Sequence, residues 1–190
     1  MSEFDHNESG HDSGRRKALG CLAAWTGAAV LWNVAGGVPR ALGMTSNGTL
    51  QTAPANSLTF VQISDTHIGF NKPANPDVVG SLRRAIADIN ALPQRPAFVV
   101  HTGDISHLSR ADQFGQAREI FREIRVDRLH TVPGEHDAID DGVNGYLKFF
   151  GTDGRGRAWY SYNQGGVHFI GLNNVQNFKM GTMAALGDEQ

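Results

Sequence analysis

A chain of 190 residues with 40% hydrophobic and 19% charged residues has the composition of one globular domain and is too short for two ordinary ones. A formal net charge of −2 and a pI near 6.4 leave no basic excess for a nucleic-acid backbone or an anionic membrane surface. The single cysteine, Cys21, excludes an intrachain disulfide.

Residues 1–14 are polar and acidic, without periodicity. Arg15, Arg16 and Lys17 then precede an uncharged apolar run from Ala18 to Val34, and a Gly/Pro stretch leads to Ala41-Leu42-Gly43, a small-x-small pattern. Charged, apolar and small-residue regions in that order read as a secretory signal over 1–43. The paired arginines resemble a twin-arginine signal, the export route for folded proteins, so a periplasmic or extracellular location is expected. The alternative is an uncleaved anchor, but a span normally needs about 20 apolar residues. No stable membrane span is expected after cleavage. Residues 44–57 are small and polar, a linker, and 58–190 form the domain.

The first strand of that domain is Leu58–Ile63, ending at Ser64-Asp65. A helix over Asp77–Leu92 places Val78, Val79, Leu82, Ala85, Ile86 and Ile89 on one face, and Pro93 and Pro96 end it. The second strand, Ala97–His101, closes on Thr102-Gly103-Asp104. A second helix begins near Ser109, whose spacing to Asp112 fits a capping box, and turns Phe114, Ala117, Ile120, Phe121 and Ile124 inward. A third strand, Leu129–Val132, ends at Pro133-Gly134. A short helix near Tyr146–Phe150 follows, its aromatic residues read as core. Ala158–Asn163 and Val167–Leu172 then form a hairpin across Gln164-Gly165-Gly166. The order β-α-β-α-β implies right-handed crossovers and a parallel-rich sheet, with ligands gathered at the carboxyl ends of its strands.

Those ends carry Asp65-Thr66-His67, Gly103-Asp104 and Gly134-Glu135-His136-Asp137. Carboxylates brought together repel unless protonated or neutralised by a cation. Carboxylate oxygen mixed with imidazole nitrogen suits Mn, Fe or Zn better than Ca or Mg. On an extended stretch the side chains of Asp65 and His67 would point the same way and grip one ion together. Glycines before Asp104 and Glu135 would permit the sharp turns. His101 is placed behind the site, and His107 is either a substrate-facing or a plain loop residue. His130 and His168 are read as structural strand histidines.

The segments ISDTHIG, HTGDIS and VPGEHD, with the hairpin WYSYNQGGVHFIGLNN, resemble the calcineurin-like metallophosphoesterases, phosphodiesterase-like members above all, over about residues 58–175. The resemblance implies an α/β fold, the calcineurin-like αββα sandwich, and hydrolysis of a small-molecule phosphomonoester or phosphodiester by two divalent or trivalent metal ions. It implies that Asp65 and His67 bind the first metal and that Asp104 bridges both. His136 would lie by the phosphate as a catalytic residue, with Asp137 orienting it. Glu135 stands where the family has an asparagine ligand of the second metal. The sequence ends at Gln190, before any counterpart of the family's lone histidine and G-H-x-H motif. It is therefore expected to hold the N-terminal portion of the sandwich and part of a binuclear site, and to be inactive by itself. The alternative is a non-catalytic relative that binds metal or phosphate. A nuclease is disfavoured by the absent basic surface.

Overall fold

The computed structural model describes residues 29–44, 57–151, 157–176, 178 and 185–190. A five-stranded mixed sheet organises them. Strands β3 (Leu58–Ile63), β4 (Val99–His101) and β5 (Leu129–Thr131) are parallel neighbours in that order. Helices α1 (Val78–Asn90) and α2 (Ala111–Phe121) are the crossovers, and α3 (Asn144–Phe150) follows β5. The β-α-β-α-β reading holds, with β4 and β5 shorter than the apolar runs that contain them.

Period-two patterning divides the two faces of β3. Val61 and Ile63 are buried with Val99 in the cluster that also takes Leu82, Ile86 and Ile89 of α1 and Phe114, Ala117 and Ile120 of α2. Phe60 turns to the opposite face, where it stacks on Phe98 at 4.8 Å. The antiparallel hairpin β6 (Tyr160–Gln164) and β7 (Val167–Gly171) packs there. Phe169 stands edge-on to Phe60 and Phe98, at 5.6 and 5.1 Å, and Tyr162 stacks on His130 at 3.6 Å. Helices thus cover one face of the sheet and the hairpin the other. Tyr146 is buried beside Phe114 and Phe150, the core role expected of it.

Two features were not expected. The first concerns residues 29–44, the later part of the stretch read as a leader (1–43) and the first linker residue. They form a hairpin of β1 (Ala29–Ala35) and β2 (Val38–Met44), turning through Gly36-Gly37, both at positive φ. β1 pairs antiparallel with β3, extending the sheet, and buries Ala29, Leu31 and Val34. Trp32 Nε1 donates to Gln62 Oε1 at 3.0 Å. An uncharged run of this length suits a buried strand as well as a leader, and Gly-Gly is a two-residue hairpin signal. Residues 1–28, with the paired arginines, and most of the linker lie outside the described residues. The second concerns Ser109. Helix α2 starts at Ala111 with Arg110 as an uncapped N-cap residue, and Asp112 pairs instead with Arg110 at 3.0 Å. The Ser109 hydroxyl donates to His136 O and accepts from Ile139 N, both at 2.8 Å, so it serves the loop after β5. Among the described residues no helix is long and apolar enough to cross a membrane.

Candidate metal centre

The loops leaving β3 and β4 stay zipped together beyond the strands. Asp65 N donates to Gly103 O, His67 N to Asp104 O, Ile68 N to Ile105 O and His107 N to Ile68 O, at 2.9–3.1 Å. This ladder brings Asp65-Thr66-His67 against Gly103-Asp104. The extended stretch expected of the tripeptide from sequence does not form. Asp65, His67 and Asp104 all have positive φ, 56°, 41° and 57°. Such a conformation strains a residue with a side chain and persists only where its surroundings over-determine it.

Two buried polar side chains supply that constraint. The Asp137 carboxylate accepts from Ile105 N (3.0 Å), Ser106 N (2.8 Å), Ser106 Oγ (2.9 Å) and Gly134 N (3.0 Å). It therefore ties the loop after β4 to the turn after β5. It makes no bond to the His136 ring, whose orientation was expected of it; His136 Nδ1 meets His107 O at 2.6 Å instead. Burial pushes the Asp137 carboxyl up to about 6, against the pull of its Ser106, Gly134 and Ile105 donors. His101, wholly buried, is the second constraint. Gly103 N donates to its Nδ1 at 3.2 Å, which leaves the proton on Nε2, 3.1 Å from Thr66 Oγ1. Thr66 in turn donates to Ile105 O at 3.2 Å. One imidazole thus joins the residue between Asp65 and His67 to the residue before Asp104. Burial lowers its pKa to about 3, so it stays neutral.

Glycine works here by close approach as well as by φ. Gly103 has φ +114°, and a Cβ on it would meet Gly134 N at 2.7 Å. Gly134 has ordinary φ, but its Cβ would meet Asp104 Oδ1 at 2.2 Å.

The result is two clusters able to hold metal ions, Asp65–His67–Asp104 and His67–His107–His136, each with donor atoms within 4.8 Å of one another. His67 Nε2 is 3.8 Å from Asp65 Oδ1 and 3.7 Å from Asp104 Oδ2. That is too long for hydrogen bonds. Ligands of one tetrahedral ion at about 2.1 Å stand about 3.4 Å apart, so a small closure suffices. The other Asp104 oxygen accepts from His136 N at 2.9 Å. His67 Nδ1 and His107 Nδ1 are buried with no hydrogen-bond partner in the protein, the kind of atom a bound group would satisfy. Burial, then the neighbouring His136, lowers the His67 pKa against the pull of Asp104, Asp65 and Glu135, so its imidazole is available unprotonated. The donor set fits a transition-metal ion.

Of the six residues singled out in sequence, Asp65, His67, Asp104 and His136 converge. Glu135 is exposed and lines a polar cleft with Asp65, Asp104 and Asn174, while Asp137 lies beneath the loops. His107 joins the imidazole cluster, stacked on His136 at 5.0 Å and edge-on to His67 at 5.6 Å. The structural reading of His168 fits its bond to Asn163 Oδ1 at 2.8 Å.

Among curated proteins, a probable glycerophosphodiester phosphodiesterase GpdQ of Arcobacter nitrofigilis is 30% identical over 90 residues, 44% of this chain and 32% of the relative. The chain therefore matches about a third of that relative's length. The family model for calcineurin-like phosphoesterases matches residues 58–185, which takes in every strand and loop of the candidate centre. On that match, over more than half of its length, the chain belongs to the calcineurin-like phosphoesterase family.

Proposed function

We propose that the protein containing this chain hydrolyses phosphate esters of small alcohols with a binuclear metal centre. The observation that carries this reading is the convergence of Asp65, His67 and Asp104 with His107 and His136 at the ends of three parallel strands. Asp65, His67 and Asp104 would hold one metal, with Asp104 shared between two and Glu135 available to the second. Mn, Fe or Zn suits these donors. Such ions supply Lewis acidity and a water acidic enough to attack phosphorus at neutral pH. The chain's own residues do the rest. His136, its Nδ1–H donated to His107 O, would turn Nε2 to the phosphate and, as the doubly protonated imidazolium, steady developing charge or pass its Nε2 proton to the leaving oxygen. Asp137 and His101 hold the loops so that the ligands need only a small closure on binding.

Export by the twin-arginine route belongs to this proposal, on Arg15, Arg16 and the uncharged run after them. N-terminal sequencing of the native protein tests it. A start at Met44 is expected, and a start upstream of Ala29 overturns it. For activity, the native protein loaded with Mn, Fe or Zn is assayed on aryl phosphates and bis-aryl phosphodiesters. Hydrolysis lost on chelation and in Asp104→Ala is expected. Bound metal with no turnover of either substrate would replace the enzyme by a non-catalytic metal- or phosphate-binding relative.

A further inference from the structure

The space around the two clusters differs from side to side. Beside Glu135 it is polar, walled by Ser64, Thr102, Asp104 and Asn174. Beyond the imidazoles lies a cavity of about 270 Å³ whose lining passes from Asp65, His67, His107 and His136 to Phe70, Ala74 and Val78, with Asn75 among them. Phe70 stands edge-on to His107, ring centres 5.1 Å apart, and His107 lies nearly parallel to His136. An apolar wall is thus one ring away from the residue assigned to the phosphate. Among the described residues lining the cavity none is lysine or arginine, and Lys72 acts on His107 only through space.

We propose that this cavity is the leaving-group subsite, that it takes an uncharged apolar or aromatic alcohol, and that Phe70 sets the preference. The proposal rests on the strand-end residues being the phosphate-binding centre. With the phosphorus held by the clusters, one ester oxygen can point to the polar cleft and the other past His136 toward Phe70. A carboxylate carried there would lose water with no lysine or arginine in the lining to replace it, and an ammonium group would meet only Asp65, whose charge a bound metal would already take. A phenyl group gains from leaving water against Phe70 and Val78, and even a few buried methylenes' worth of apolar contact is worth about tenfold or more in affinity.

Phenylphosphonate and methylphosphonate, which cannot be hydrolysed, separate the two ideas when titrated calorimetrically into the metal-loaded native protein. Phenylphosphonate is expected to bind about tenfold more tightly. In Phe70→Ala, at equal metal loading, that ratio is expected to fall to about one. Phe70→Leu, which keeps the core contact if the alanine variant folds poorly, is expected to give an intermediate ratio. Equal affinities in the unaltered protein, or a phenyl preference that survives both substitutions, overturn the subsite. Failure of methylphosphonate as well as phenylphosphonate to bind, with metal bound, overturns the phosphate-binding centre and the subsite with it.

Discussion

In the hairpin of β1 and β2 the positive φ angles fall on glycine alone, Gly36 and Gly37; in the loops after β3 and β4 they fall on Asp65, His67, Asp104 and Ser109 as well as on Gly69 and Gly103. The hairpin turns where glycine makes turning easy, and it holds by pairing β2 to β1 and β1 to β3 and by burying Ala29, Leu31 and Val34. The loops turn where side chains make turning costly, at about 1–3 kcal/mol per residue. They are held by Asp137, from the turn after β5, and by His101, at the end of β4. One region is optimised for itself and the other for what it presents.

The sharpest separation of the two is expected from Asp104→Ala. Hydrolysis by the metal-loaded native protein should fall below detection. The metal-free protein loses only the bond from His136 N, worth about 1–2 kcal/mol, so its melting temperature should drop by about 3–8 °C. A melting loss far beyond that would make Asp104 structural.

Asp137→Ala and Leu31→Ala form the next pair. The first leaves four buried donors without their acceptor and is expected to cost about 3–4 kcal/mol, with metal affinity down about 10–100-fold. The second is expected to cost about 2–3 kcal/mol in the uncleaved chain and to leave metal affinity unchanged. Denaturant unfolding with parallel metal titration reads both, and an unaltered stability in Leu31→Ala would mean that the hairpin adds nothing to the sheet.

Acid titration addresses the same constraints. His101 has its folded pKa lowered to about 3, so as pH falls from about 6.5 only the unfolded state takes up the proton, and this contribution to stability is lost. Asp137 has its folded pKa raised to about 6, so its contribution is complete below about pH 4 and is lost as pH rises through 6. The two oppose each other between pH 4 and 6, and His101 acts alone below 4. His101→Gln is expected to flatten the acid limb of the stability curve, by up to about 1.4 kcal/mol per pH unit below pH 4. An acid limb identical to that of the unaltered protein would contradict a neutral buried imidazole.

The smallest effect is expected at Gly37, whose added Cβ meets open space, so Gly37→Ala should cost only about 1 kcal/mol from its positive φ. Gly103→Ala, with Gly134 N at 2.7 Å from the new Cβ, should cost more and weaken metal binding as well. Equal costs in both would remove the argument from close approach.

The parallel core and the acidic strand ends were legible because each rests on short-range pattern: an apolar run, then a carboxylate at its tip. Asp65, His67, Asp104 and His136 were found that way. Their mutual geometry was not, since left-handed backbone at Asp65 and His67 depends on a ladder to residues about forty positions away. Asp137 was found, but its role was misplaced, because adjacency to His136 in sequence says nothing of three donors arriving from the loop after β4 and a fourth from Gly134 of its own turn. The hairpin was read as part of a leader because an uncharged apolar run is compatible with both, and only the free edge of β3 decides which forms in this structure. His101 carried a usable signal, a histidine closing a buried strand directly before Gly-Asp.

The most direct test is calorimetric titration of the metal-free chain with Mn2+ or Zn2+, beside His67→Ala and Asp104→Ala. Saturable binding of at least one ion per chain, lost in both variants, is predicted. No saturable binding, or binding that survives both substitutions, would contradict a metal centre at these strand ends.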